Sequence, residues 1–464
     1  MNPGMTPVAA ALAEWGIALR DDDVPGRIRE AAVRHLADGF GTAAAAVRSG
    51  AVAPVVEVAR RLGGPPEATL LGGPDRVGSA AAALATGALV HAHDFDDTHA
   101  GGLVHPTAVV LPAALAVGQA AGATGRDLVT AAVVGYETVC RIAAAVPNGF
   151  HDRGLHATSA AGVFAAALVT ARLSGLDGAR ATDALGIAGS SAGGLLEFLG
   201  SAASTKQLHP GLASMNGVTA ALLAGAGATG PATVLEGQRG LYAALVGAPP
   251  DLDVVGGDLG RRWETGRIGI KPYPACQLMH ATLDAVAAAV AGREVRPADV
   301  AEVVAAVHPD SAAVVCDPDR DLTRPRGPYD AKFSLPWSVA ALLLDGSVSE
   351  STYAVDSVQR AEVAALAGRV RTESAPSDRV AADACGRVRI RLRDGQVLEG
   401  AVDRSAGGPD APLSTESLRA KFLANAGGGP AAHRLWLSLV ALDELGDLSD
   451  LTDQFLEAVV EEAR

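Results

Sequence analysis

The segment VHAHDFDDTHAGGLVHPTAVV, Val90 to Val110, holds four of the 11 histidines, His91, His93, His99 and His105, and three aspartates, Asp94, Asp96 and Asp97. Carboxylates and imidazoles this close together support two kinds of chemistry. Hard cations take carboxylate oxygens and softer metals take imidazole nitrogen, so an Asp-x-Asp-Asp run with flanking histidines suits a metal site. The same groups suit a metal-free pocket of general acids and bases, with pKa values set by proximity and burial. A third reading needs no chemistry: Asp97 and Thr98 cap a helix and the histidines are solvated. On spacing alone all three stay open.

Three further segments place titratable side chains in unusual settings. In GLHATSAAGVF, His156 stands just before a long apolar run, beside Thr158 and Ser159. This is either a cap or a place where an imidazole meets an anion drawn to a helix N-terminus. In GSAASTKQLHPG, Lys206 and His209 lie three apart, and Lys206 is the only lysine ahead of Lys271, in a Gly/Ser/Ala context instead of a charged face. In RIGIKPYPACQLMHATLDA, Pro272 and Pro274 stiffen the chain beside Lys271 and fix where it points. There His280 and Asp284 are spaced to pair on one helix face, and Cys276 is either a nucleophile or an inert buried thiol. No GxGxxG follows a strand, and no GxxxxGK[ST], HExxH or GxSxG occurs, so nucleotide cofactors have no support.

The elements that must position these groups read as helix after helix up to about Gly266. PGRIREAAVRHLADGFGTAAAAV sets Ile28, Ala32, Leu36 and Phe40 four apart, and TGRDLVTAAVVGYETVCRIAAAV opens with Thr124 and Asp127 in capping-box spacing. Beyond Gly266 the period changes. ADVAEVVAAVHPD is strand-like, and GRVRIRLRDGQVLEGAV alternates Val388, Ile390 and Leu392 with arginines before a turn at Asp394-Gly395. DAVAAAVAG and SLPWSVAALLLDG are helical between the strands, and HRLWLSLVALDEL and LTDQFLEAVVEEA return to helix at the end. The expected organisation is a mainly α protein: an all-helical domain from residues 1–266 and 404–464, and a smaller α+β lid domain from 267–403. The tail is expected to pack back on the first domain, because short helices cannot bury their own apolar faces.

The bulk composition narrows the partners. A length of 464 residues, with 49% hydrophobic and 19% charged residues, describes a globular chain larger than one core usually supports. A net charge of -14 and a pI near 5.2 argue against nucleic acid or an anionic membrane as partner. Four cysteines without a CxxC pair, and an N-terminus with no basic start, point to a reduced, cytoplasmic protein with no membrane span.

The order of HDFDDT followed by HP, then GLHATS, GSSAGGLLEF, TKQLHPG, KPYPACQLMH and AKFSLPW, resembles the MmgE/PrpD family of 2-methylcitrate dehydratases, cis-aconitate decarboxylases and iminodisuccinate epimerases. The resemblance covers nearly the whole chain and implies a homodimer with a pocket between a helical domain and a lid. It implies no metal and no cofactor, and a di- or tricarboxylate substrate. The implied catalytic residues are Asp94, His105, His156, Lys206 and Lys271, with Thr98, His93, His209, Tyr329 and Cys276 binding substrate. Cations at Lys206 and Lys271 would absorb charge as a proton leaves a carbon next to a carboxylate. His156 leads proton transfer in this reading, with His105 assisting. Cis-aconitate decarboxylases carry a histidine where this chain has Cys276, and methylcitrate dehydratases read DFNDT with a longer spacer before HPSD. A hydro-lyase is therefore expected first, an epimerase second and a decarboxylase third. Outside this class stand a metal-dependent hydrolase using the Asp and His ligands, and a non-catalytic binding protein.

Overall fold

Alanine and glycine dominate the helices of the first half, and their small side chains let helix axes approach closely. The computed structural model describes residues 6–201, 203–293 and 295–460, and the architecture is mainly α. Helices α1 (Gly26–Ser49), α2 (Ser79–His91), α3 (Thr107–Ala121), α4 (Gly125–Ala144), α5 (Ala157–Leu173) and α6 (Thr205–Gly225) surround one apolar cluster. The capping box expected at Thr124 and Asp127 opens α4, with the Asp127 amide donating to Thr124 Oγ1 at 3.2 Å. In α5 every residue from Ala157 to Ala171 is buried, as expected of a helix that is apolar on all faces. It is the central helix, so groups at its N-terminus are deep inside the protein.

The crossing of α2 and α6 depends on glycine. A Cβ on Gly211 would collide with the Leu84 carbonyl, and Gly87 lies opposite it against the Gly211 backbone. This contact brings the start of α6 to the end of α2, which is where the site forms.

A second apolar cluster gathers residues between Ala275 and Leu398, together with Phe198 from the first half. It is built on helices α7 (His280–Val290) and α8 (Leu335–Asp345) and on a four-stranded sheet. Of the short strands that precede that sheet in the chain, β1 (Thr98–His99) and β2 (Ile268–Gly269) pair with each other and bear on the site. The sheet strands are β3 (Val300–Val307), β4 (Val370–Ser374), β5 (Gly386–Leu392) and β6 (Val397–Val402), in spatial order β4-β3-β5-β6. Strands β5 and β6 form the expected hairpin, with Arg391 opposite Val397 and Gly395 at φ +93° in the turn. Val388 and Ile390 are buried, while Arg387, Arg389 and Arg391 are exposed.

The changeover between the clusters comes a little after Gly266, since Ile268 and Ile270 still belong to the first. The terminal helices α9 (Thr415–Ala426), α10 (Pro430–Val440) and α11 (Leu448–Val460) also join the first cluster, through Leu418, Phe422, Leu435, Leu451 and Phe455. The Phe40 and Phe455 rings meet edge-on at 6.0 Å. Among the described residues no single helix is long and apolar enough to cross a membrane.

Candidate active site

The turn that ends α2 sets the centre of the site. Asp94 there takes φ +52°, in the left-handed region that aspartate tolerates better than most residues. The two-residue pairing of β1 with β2 places Thr98 opposite Gly269, so the chain leaving β2 brings Lys271 onto Asp94. Lys271 Nζ donates to both the Asp94 carbonyl and Oδ1, each at 2.9 Å. Lys206, in the first turn of α6, donates to the same Oδ1 at 2.8 Å. Burial alone would push the Asp94 carboxyl up, yet the Lys206 and Lys271 ammonium groups beside it hold it well below the ordinary carboxylate range. From the far side Lys421 of α9 donates to the Phe95 carbonyl at 2.8 Å and pairs with Asp38 at 2.7 Å. The loop is thereby clamped by three ammonium groups.

Imidazoles complete the site. His105 Nδ1 lies 2.9 Å from the Asp97 carbonyl and 3.2 Å from Thr98 Oγ1. A carbonyl only accepts, so in the neutral ring Nδ1 carries the proton and Nε2 keeps a lone pair, 4.0 Å from Asp94 Oδ1. His156, the residue before α5, has Nδ1 3.2 Å from Nδ1 of His209, while its Nε2 is buried without a protein partner. His91 pairs through Nδ1 with Asp96 at 2.8 Å, and its ring centroid is 4.8 Å from that of His105 and 5.6 Å from that of His156. Burial lowers all three imidazoles well below their ordinary value; the nearby lysines add to this, Lys206 most for His91 and His156 and Lys271 most for His105. His209 is lowered to about 4 by burial and then by Lys206. Burial raises the Asp96 carboxyl.

Asp94, His105, His156 and Lys206 form the deep end of a cavity of about 390 Å³ that lies between the two apolar clusters. Cys276 and Phe333 are in its wall. Burial, with Asp94 nearby, pushes the Cys276 thiol up to about 11, so it is a neutral wall group and not a thiolate nucleophile. Lys271 stands behind Asp94, fully enclosed.

The structure therefore brings Asp94, His105, His156, Lys206, Lys271 and Cys276 together, with Thr98 and His209 supporting two of the imidazoles from behind. His93 falls elsewhere, on a second cavity of about 630 Å³. Tyr329 also lines that cavity, but its ring packs against Phe333 at 5.6 Å, and its buried hydroxyl, without a protein partner, is raised by burial and then by the nearby charges of Asp94 and Asp96. The expected His280–Asp284 pair does not form. His280 Nε2 lies 3.1 Å from the Ala275 carbonyl, while Asp284 accepts from the Tyr273 hydroxyl at 2.7 Å and the Ala406 amide at 2.7 Å. Asp97 is neither a metal ligand nor a pocket group. It accepts from the Thr107 amide at 3.0 Å and hydroxyl at 2.6 Å, anchoring the start of α3, which is the capping role in another helix. Sequence reasoning missed the His91–Asp96 pair as a unit, His151 in the cavity wall, and Lys332 and Lys421. The signal for the lysines was rarity: the chain has four, and the other two are Lys206 and Lys271.

Two overlapping sets, His91, His105 and His156, and His91, Asp94, Asp96 and His105, bring potential ligand atoms within 4.8 Å of one another. The second set fits a divalent ion poorly. Asp94 Oδ1 already holds two ammonium groups, whose charge repels a cation, and Asp96 is engaged by His91.

The chain matches the models of the MmgE/PrpD N-terminal domain over residues 10–252 and of the MmgE/PrpD C-terminal domain over residues 273–441. It is 28% identical to a cis-aconitate decarboxylase of Aspergillus terreus, over 96% of this chain and 95% of that protein. It is 30% identical to the cis-aconitate decarboxylase of Mus musculus, over 82% and 79%, and 29% identical to that of Homo sapiens, over 83% and 81%.

Proposed function

This chain belongs to the MmgE/PrpD family, and we propose that this lyase works without a cofactor on a small polycarboxylate, through a carbanion next to an ionised carboxylate. The observation that carries the reading is the buried Lys206–Asp94–Lys271 cluster with two imidazoles at its edge. Two ammonium groups against one carboxylate leave a net positive charge in a place that excludes water. An arriving carboxylate finds its countercharge there, and so does the negative charge that develops when an adjacent carbon gives up a proton or CO₂. Asp94 holds both ammonium groups at fixed positions.

His156 and His105 move the proton. In the free site burial and the lysines keep both neutral, ready to accept. A substrate carboxylate adds negative charge beside them, raises their pKa values again, and favours the imidazolium that donates. Decarboxylation stands first in this reading, ahead of the hydro-lyase that motif spacing favoured, because the curated relatives carry that name. Loss of CO₂ leaves its bonding electron pair on carbon, and protonation by His156 completes the step. Elimination of water or epimerisation would begin at the same carbanion, with His156 as base. Neutral Cys276, in place of a histidine, favours this second pair.

Proton NMR in D₂O on cis-aconitate, 2-methylcitrate and iminodisuccinate tests the reading. CO₂ release, water loss or deuterium entering a carbon beside a carboxylate is the expected result, and the product names the reaction. Full activity in His156→Ala would remove that residue from the mechanism. The reading also carries a cytoplasmic homodimer, checked by sedimentation of the purified chain and by fractionation of its host.

A further inference from the structure

The cavity is far less polar than a tricarboxylate requires. Among the described residues its lining holds one ammonium group, Lys206, and no guanidinium, and both Lys206 and Lys271 already share Asp94. Beyond the deep polar end most of the wall is apolar, Leu103, Leu196, Phe198, Leu199, Leu278 and Val314; its polar members are His151 and the amides of Asn148 and Gln277, which donate to Asp310 and Ser405. The charged groups at the exposed mouth are Asp152 and Asp310, which repel an anion. A carboxylate placed outside the Lys206 end would leave water for an apolar wall and meet like charge at the rim, with no cation to offset its desolvation.

We infer that the substrate carries, opposite its reacting carboxylates, an apolar arm of several carbons that lies against Phe198, Leu199 and Leu278. This rests on the lyase reading for the chemistry at the deep end, but the recognition of the arm has its own physical basis. The polar end takes one or two carboxylates. The rest of the cavity takes the arm, and two segments supply the grip: the loop before α6, through Leu196, Phe198 and Leu199, and the second half of the chain, through Leu278 and Val314. The substrate class is an alkyl- or aryl-substituted dicarboxylate.

The test uses the full chain in EDTA with 2-alkylmaleates bearing one to six arm carbons, and with cis-aconitate as the fully charged comparison. Binding is read by calorimetry and turnover by NMR in the same samples. Affinity is expected to rise about four-fold for each added methylene until the arm fills the cavity. Leu199→Arg, or Val314→Arg if that variant does not fold, is expected to flatten the trend and to improve binding of cis-aconitate. Tighter binding of cis-aconitate than of every alkyl homologue, or no dependence on arm length, overturns the inference. Turnover without the trend leaves the lyase reading standing and removes the arm. The trend without proton exchange or CO₂ release on any acid does the reverse.

Discussion

Two cavities flank the same short segments, and consecutive residues divide between them. Asp94, Lys206 and Phe333 face the smaller one, while His93, Gln207 and Lys332 face the larger. The larger holds fewer ionisable groups; its unpartnered polar atoms, Tyr329 Oη and Asn425 Nδ2, belong to uncharged side chains, and His93, Lys332 and Glu350 satisfy one another. His93 pairs with Glu350 at 3.0 Å and with Ser49 Oγ at 2.9 Å, and Lys332 donates to Glu350 at 3.0 Å and to the Pro274 carbonyl at 2.9 Å. In the smaller cavity His156 Nε2 and Asp94 Oδ2 face inward without a protein partner. Volume does not locate chemistry here. Carboxylate and imidazole atoms left unpartnered after folding do, since an ion already neutralised has little to offer a ligand.

The comparison breaks if the two histidines behave alike. His156→Gln is expected to lower kcat about 10²- to 10⁴-fold, the usual contribution of a positioned proton-transfer group. His93→Gln should leave kcat within about tenfold of the parent, because its loss removes only a half-buried pairing with Glu350 that faces the other cavity. Steady-state kinetics with circular dichroism on both variants decides this. Equal losses would make the second cavity part of the site.

The sequence carried the reactive cluster better than its boundaries. Lys206 and Lys271 stood out by rarity and by the prolines beside Lys271, and both converge on Asp94 as spacing alone could not have shown. What failed was side. His93 and Asp94 are adjacent, yet a left-handed turn at Asp94 sends their side chains to opposite cavities, and backbone sign at one residue is not written in residue type. The His280–Asp284 pairing failed for a similar reason, because tertiary partners at Ala275, Tyr273 and Ala406 outcompeted a helical neighbour. The β5–β6 hairpin and the α4 cap were legible because each is local: an Asp-Gly turn with alternation, and a Thr and Asp three apart.

The glycine contact between α2 and α6 gives a sharper probe than the reactive groups. Gly211→Ala forces a methyl into the Leu84 carbonyl, so α6 must shift, at a cost of about 1–3 kcal/mol. That shift carries Lys206 away from Asp94 while leaving His93, Lys332 and Glu350 of the second cavity, none of which is on α6, where they are. Loss of kcat/KM of about 10² is expected, the usual penalty for a displacement near 1 Å. An active, less stable variant would show that Lys206 tolerates movement, and the cluster would then be structural.

Acid should separate the cavities further. His156 is held well below its ordinary value by burial and then by Lys206, so the acid limb of kcat/KM should lie well under pH 6.5. The same shifts govern stability. His151 and His209 titrate near 4 when folded and near 6.5 when unfolded, so between those values the unfolded chain binds more protons. Stability is therefore full above about pH 6.5 and declines as pH falls toward 4, by roughly 1.4 kcal/mol per pH unit for each such imidazole. His151→Asn should show a smaller fall in Tm between pH 7 and pH 5 than the parent. An equal fall would mean that His151 is already protonated in the folded protein.

The smallest expected effect is that of a chelator, and it discriminates most between the two chemistries that the Val90–Val110 segment allows. A divalent ion on His91, His105 and Asp94 would sit beside the two ammonium groups held on Asp94 Oδ1, whose charge repels it, and it would take the lone pair through which His105 accepts a proton. EDTA should leave kcat/KM unchanged, and added Zn²⁺ should inhibit. If EDTA abolished turnover and a divalent ion restored it, the lysines would be partners of a metal-free resting form only. The three clustered imidazoles, each with its Nδ1 held by a neighbour, would then be the ligands.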